Sequence, residues 1–132
     1  MAIYLGSKKI ETIYDIVSPI DKLESFFDAT LTSLDEEDLN GLTSVKDRGF
    51  YNLSSLTKVV FPATLKSIGN NAFSGCSKVS YVRFLSETPP TLGTSSLPSG
   101  GNFRTIYVPS GCLEAYQNAD GWSSYASKLK EW

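Results

Sequence analysis

Apolar residues return to the same slots about every 23 residues in this chain, and that period restricts its possible folds more than any other feature. Val45 aligns with Ile68, Phe50 with Phe73, Leu53 with Cys76 and Leu56 with Val79 at an offset of 23. Further on, Ile68, Phe73 and Val79 find Leu92, Leu97 and Phe103 at an offset of 24. A unit this short cannot close a core of its own. Each copy must bury its apolar face against its neighbours, so the chain is expected to stack into a solenoid with Val45, Ile68 and Leu92 in one continuous apolar column.

The clearest copy is LTKVVFPATLKSIGNNAFSGCSKV, residues 56–79. Period-two alternation in its first part predicts a strand with Leu56, Val59 and Phe61 inward and Lys58 and Val60 outward, ended by Pro62, which has no ladder donor. Leu65 and Ile68 re-enter the core, Gly69-Asn70-Asn71 makes a turn, and Ala72, Phe73 and Cys76 close the coil. The next strand, VSYVRFL, should bury Val79, Val82 and Phe84. A third, FRTIYVP, should bury Phe103, Ile106 and Val108 and stop at Pro109. One strand per coil predicts a short parallel ladder.

The flanks read differently. At the start, IYLGSKKIETIYDI predicts a β-hairpin with GSKK at the turn, and a helix is expected from Pro19 to Ala29, with Ser18 as its N-cap. Together they would plug the first coil. Residues 31–51 read as a degenerate coil with surplus residues around the acidic run Asp35, Glu36, Glu37, Asp38. After Pro109 the apolar spacing becomes helical, with Ser110 as a cap, Leu113 and Tyr116 in a short helix, and Trp122, Tyr125, Ala126 and Leu129 forming a lid. The expected organisation is a single domain over 1–132: an N-terminal hairpin and helix cap (1–30), repeats (31–109) and a C-terminal helical cap (110–132). The class is α+β, a repeat solenoid.

Chemistry is sparse. The chain has no histidine, which removes Ser-His and Cys-His catalysis and most zinc sites. The acidic run lacks the ligand spacing and turn glycine of a calcium loop. GTSSLPSGG lacks the Lys-Ser/Thr pair that a Walker loop needs after its last glycine. The reading is therefore a non-enzyme, with no cofactor and no metal. Cys76 and Cys112 could pair, but Cys76 occupies the slot that Leu53 fills one coil earlier, which favours a buried small hydrophobe over a staple. With 12 basic and 14 acidic residues, the net charge of −2 provides no broad basic field for nucleic acid or an anionic membrane. No apolar run reaches the roughly 18 residues that span a bilayer. The opening lacks the basic end and uninterrupted apolar segment of a secretory signal, so synthesis in the host cytoplasm, with carriage on a particle as the route outward, is the expectation.

At LTKVVFPATLKSIGNNAFSGCSKV the chain resembles the BspA-type leucine-rich repeat, whose units run as a strand ending in proline and then LxxIGxxAFxGC. Leu65, Ile68, Gly69, Ala72, Phe73, Gly75 and Cys76 match it in turn. IYVPSGCLEAYQNADGWSSYASKLKEW is similar to the tail that closes such arrays, and TPPTLGTSSL to their last, proline-containing coil. The resemblance implies an interaction protein. Its relatives include bacterial surface adhesins, proteins of anaerobic gut organisms and protists, and products of phages that infect such organisms. The leader IYLGSKKIETIY also resembles openings of phage structural proteins.

The outward row of the ladder is the candidate binding strip. Lys58, Tyr81 and Thr105 stack in one register and Val60, Arg83 and Tyr107 in the next, with Arg83 able to stack on Tyr81 or Tyr107. Tyrosine and arginine often carry interface energy because each buries area while keeping a polar handle. The expected role is a non-enzymatic module binding a protein or a cell-surface glycan, carried on a phage virion. The alternative is a phage-encoded soluble inhibitor of a host defence or regulatory protein, with the acidic patch Asp35, Glu36, Glu37 and Asp38 as a secondary contact. Oligomeric state stays open.

Overall fold

The computed structural model describes residues 4–5, 8–9 and 31–132 of the chain. Strands β1 (Tyr4–Leu5) and β2 (Lys8–Lys9) pair antiparallel, with Tyr4 opposite Lys9 and Leu5 opposite Lys8. The antiparallel pairing is that of the predicted hairpin, but Lys8 and Lys9, expected in its turn, are strand β2. The hairpin's continuation through Ile16 and the helix expected from Pro19 to Ala29 lie outside the described residues.

Three successive coils then each contribute a strand to one sheet and a two-residue strand to another, and a fourth strand extends the first sheet. The first set is β3 (Ser33–Leu34), β5 (Lys58–Phe61), β7 (Tyr81–Phe84) and β9 (Thr105–Val108). The second is β4 (Ser44–Val45), β6 (Ser67–Ile68) and β8 (Thr91–Leu92). In the larger sheet β3, β5, β7 and β9 are parallel neighbours, in register with Val59 opposite Val82 and Val82 opposite Ile106. In the smaller one Val45 lies opposite Ile68 and Ile68 opposite Leu92, which is the apolar column the period predicts. The second ladder is an addition to the expected single one. It arises because the two residues at each re-entry point are extended and meet the same two residues one coil away.

Alternation decides which side of each strand is buried. Val59, Phe61, Val82, Phe84, Ile106 and Val108 are fully inaccessible, while their strand neighbours are half-buried or exposed. The rings inside form a chain of contacts along the solenoid. Phe50 stacks on Phe73 at 5.0 Å and Phe61 on Phe84 at 5.2 Å, and Phe61 also meets Phe50 and Phe73 at 6.1 Å each. Offset and edge-on ring contacts of this kind add to the area each ring buries.

The corners repeat as faithfully as the strands. The Asp47 carboxylate accepts the Asn70 amide at 2.7 Å, and the Asn70 side-chain oxygen accepts the Thr94 amide at 2.7 Å, so one side chain per coil satisfies the backbone of the next. The residues that follow, Arg48, Asn71 and Ser95, all take a left-handed φ of 52–60°. Gly69 is required by proximity: a β-carbon there would lie 2.5 Å from the Asp47 backbone nitrogen. Gly75 is required by conformation as well, with φ +86° and its missing β-carbon 3.0 Å from the Asn52 α-carbon.

The C-terminal piece differs from the purely helical lid expected. A short helix α1 (Leu113–Asn118) and a 3-10 helix (Ser123–Lys128) are present, and the chain then forms strand β10 (Leu129–Glu131), which joins β9 in parallel. Among the described residues the larger sheet therefore has five strands, ordered β10-β9-β7-β5-β3. Cys112, not Ser110, sits at the N-cap of α1, and no side chain caps the helix there. Trp122 and Tyr116 are fully buried, as expected of a lid. Trp122 packs edge-on against Phe84 at 5.3 Å and donates its indole N–H to the Pro90 carbonyl at 2.9 Å. The Tyr116 hydroxyl donates to the Ser86 carbonyl at 2.6 Å. These two bonds fasten the lid to the last coil.

Both cysteines are free thiols, Cys76 buried and Cys112 partly so. The Cys76 thiol donates to the Phe50 carbonyl, and burial pushes its pKa up from 9.0 to about 11. Unfolding would restore the ordinary value, so the unfolded chain loses this proton first as pH rises. The stabilising contribution is complete below about pH 9 and is lost as pH climbs towards 11. Burial pushes the Tyr116 phenol up as well, in the same sense. Urea midpoints should therefore fall steeply above pH 9, and Cys76→Ala should flatten that decline. At pH 8 a thiol reagent should modify Cys112 in the native chain and Cys76 only once urea unfolds it.

Candidate functional site

The outward positions of the larger sheet are set by the same register that buries its inward ones. Lys58 lies opposite Tyr81, and Tyr81 opposite Thr105. Val60 lies opposite Arg83, and Arg83 opposite Tyr107. The structure thus brings together all six residues expected in the strip. Beyond them, β10 extends the second row with Lys130 opposite Tyr107.

The packing on this face differs in one respect from the stacking expected. The Arg83 guanidinium sits over neither tyrosine in a cation-π contact; it lies 3.9 Å above the centre of the Trp132 ring. Tyr107 meets Trp132 edge-on at 4.8 Å and Tyr81 edge-on at 5.4 Å, so three rings form a herringbone with one cation laid across its end. Trp132 is 57% exposed and is the exposed large hydrophobic residue among those described. Its position is fixed by its own amide, which donates to the Val108 carbonyl at 3.0 Å. The Glu131 carboxylate accepts the Gly111 amide at 2.8 Å and ties the same end to the turn before α1. Strand and turn together hold the indole where Arg83 can cover it.

The acidic run is organised as a turn. Asp35 accepts the amides of Glu37 and Asp38 at 3.0 Å each, and Asp38 reaches back to accept the Asp35 amide at 3.1 Å. This reciprocal arrangement is that of a capping box. Burial raises both carboxyls. At Asp35 the donated amides outweigh burial and hold the group below its ordinary value, whereas at Asp38 burial and the neighbouring Asp35 charge leave it raised. Asp38 is only 5% exposed. Of the four acids proposed as a secondary patch, Glu36 and Glu37 are the two exposed to solvent.

The described residues line surface hollows. One of about 340 Å³ is lined by Phe73, Cys76, Leu97 and several serines and glycines, and one of about 480 Å³ by Leu65, Lys66, Pro89 and a set of threonines. Neither brings an acid next to a nucleophile. Among the described residues no group of three or more His, Cys, Asp or Glu could hold a metal ion, and no helix is long and apolar enough to cross a membrane.

The sequence matches the BspA type leucine rich repeat region in six copies over residues 11–122. The chain belongs to this family. No curated protein matches it significantly. Leucine-rich repeats of this type are generally protein-interaction modules, and the BspA-type repeat here supplies an outer face with its side chains held at ladder spacing. Sequence reasoning did not include Trp132 in the strip. A signal for it was present: Leu129 follows Ile106 by the same 23 residues that separate the earlier BspA-type coils, which puts Trp132 one step past a ladder strand.

Proposed function

We propose that this chain is a non-enzymatic protein-binding module whose contact surface is the outward face of β5, β7, β9 and β10. The observation that carries this reading is the ordered herringbone of Tyr81, Tyr107 and Trp132 under Arg83, where a largely exposed indole is held in place by a backbone hydrogen bond and a cation-π contact. Rigid aromatic and arginine side chains lose little entropy on binding and are the residue types that dominate protein interfaces. Edge-on rings also favour a protein over a surface glycan, because a sugar stacks on a broad open ring face and Arg83 already covers one face of Trp132.

The setting proposed is a phage particle, on the likeness of the leader to openings of phage structural proteins. The inhibitor reading has less to rest on, since Asp35 and Asp38 are engaged in their own turn. Immobilised full-length chain should retain a partner from host lysate that Tyr81→Ala/Arg83→Ala loses. Hydroxyl-radical footprinting of that complex should protect Tyr107 and Trp132. Unchanged retention by the double variant, with both rings still reactive, would overturn the assignment of this face.

A further inference from the structure

The outward positions of β5, β7, β9 and β10 are Lys58, Val60, Tyr81, Arg83, Thr105, Tyr107 and Lys130. Three are cations and none is an acid, although acids outnumber bases in the chain as a whole, 14 to 12. The small negative net charge therefore conceals a face of the opposite sign. Lys58 and Lys130 are exposed, and Arg83 is half-buried.

Arg83 shows what this face lacks. Its Nε is closed off from solvent without a hydrogen-bond acceptor, and among the described residues no hydrogen bond or ion pair reaches its guanidinium. The contact it does make sets its Cζ 3.9 Å from the centre of the Trp132 ring, and a planar guanidinium held there keeps parallel N–H donors to offer a carboxylate. Asp35, one residue past β3, turns its carboxylate to the amides of Glu37 and Asp38, and Glu131 turns its own to the Gly111 amide. The acids at the two ends of the sheet are thus committed elsewhere.

The geometry points to an acidic polypeptide segment as the partner of this face, one that sets a carboxylate on the fork of Arg83, further carboxylates near Lys58 and Lys130, and an apolar side chain on the Tyr107–Trp132 edge. This assignment rests on the protein-binding reading above and adds the chemistry of the partner. A cationic face offered to an acidic segment gains chiefly in selectivity and association rate, and the fixed fork gains in geometry. Single-stranded nucleic acid would use stacked, parallel ring faces along a groove. The edge-on rings here do not provide them.

The test uses the full chain and four probes: a short peptide of alternating glutamate and leucine, the same peptide with glutamine or with lysine in place of glutamate, and a thymidine oligonucleotide. Trp132 emission reports binding, since Trp122 is buried and Trp132 is not. The glutamate peptide should bind at least about tenfold tighter than the glutamine peptide, weaken several-fold between about 50 and 200 mM salt, and lose about tenfold on Arg83→Gln. Thermal melting of Arg83→Gln confirms that the fold persists. In the free chain, iodide should quench Trp132 more strongly than caesium, which reads the sign of the face without any partner. Equal binding of the glutamate and glutamine peptides, no binding of either, or tighter binding of the oligonucleotide would overturn the acidic assignment. If the lysate partner is still lost on Tyr81→Ala/Arg83→Ala, the protein-binding reading survives that failure; if it is retained, both fall.

Discussion

Phe61→Ala is expected to lower the free energy of unfolding by about 3–5 kcal/mol, measured as a shift in urea midpoint at unchanged slope. Phe61 is fully buried and touches three other rings, Phe50, Phe73 and Phe84, so its removal opens a cavity between two coils at once. The backbone around it cannot collapse to fill the space. β5 is pinned on both sides, by β3 and by β7, and shifting it would break ladder bonds to each. Phe61→Leu, which keeps most of the volume, should cost markedly less. A loss below about 1 kcal/mol for the alanine variant would contradict a ring-filled core.

Trp122→Ala should be comparably damaging, at about 3–5 kcal/mol, through a different mechanism. Trp122 fills the end of the solenoid against Phe84, Tyr116 and Tyr125 and also donates to the Pro90 carbonyl. Trp122→Phe separates the two contributions. It retains most of the apolar filling and leaves the Pro90 carbonyl without its donor, so a loss of about 1–3 kcal/mol is expected from that alone. Because the lid covers the last coil, the alanine variant should also expose apolar surface and bind a hydrophobic dye below its melting temperature. A variant that melts like the parent would show that the lid is dispensable.

The repeat was legible because a solenoid imposes the same environment on the same slot in every coil. Phe50 and Phe73, 23 residues apart, end up stacked, and Val45, Ile68 and Leu92 end up paired across a ladder. The lid was only half legible. Trp122, Tyr125, Ala126 and Leu129 follow a helical spacing, yet the segment is a 3-10 helix and then strand β10. Three residues with one buried position carry no alternation to recognise, and the strand forms because β9 offers it a free edge. The acidic run could be placed as surplus residues between coils, but spacing alone could not show that it forms a turn with Asp38 facing inward to cap it.

From the order of residues alone came the period, the inward and outward sides of each ladder strand, and the absence of histidine chemistry, because these depend on local alternation and composition. Tertiary structure alone decided that Trp132 lies under Arg83 and that Lys130 joins Lys58 and Arg83 on one face. Those relations join residues far apart in the chain. They exist only once successive coils are stacked in register, since it is the ladder that sets which outward side chains become neighbours.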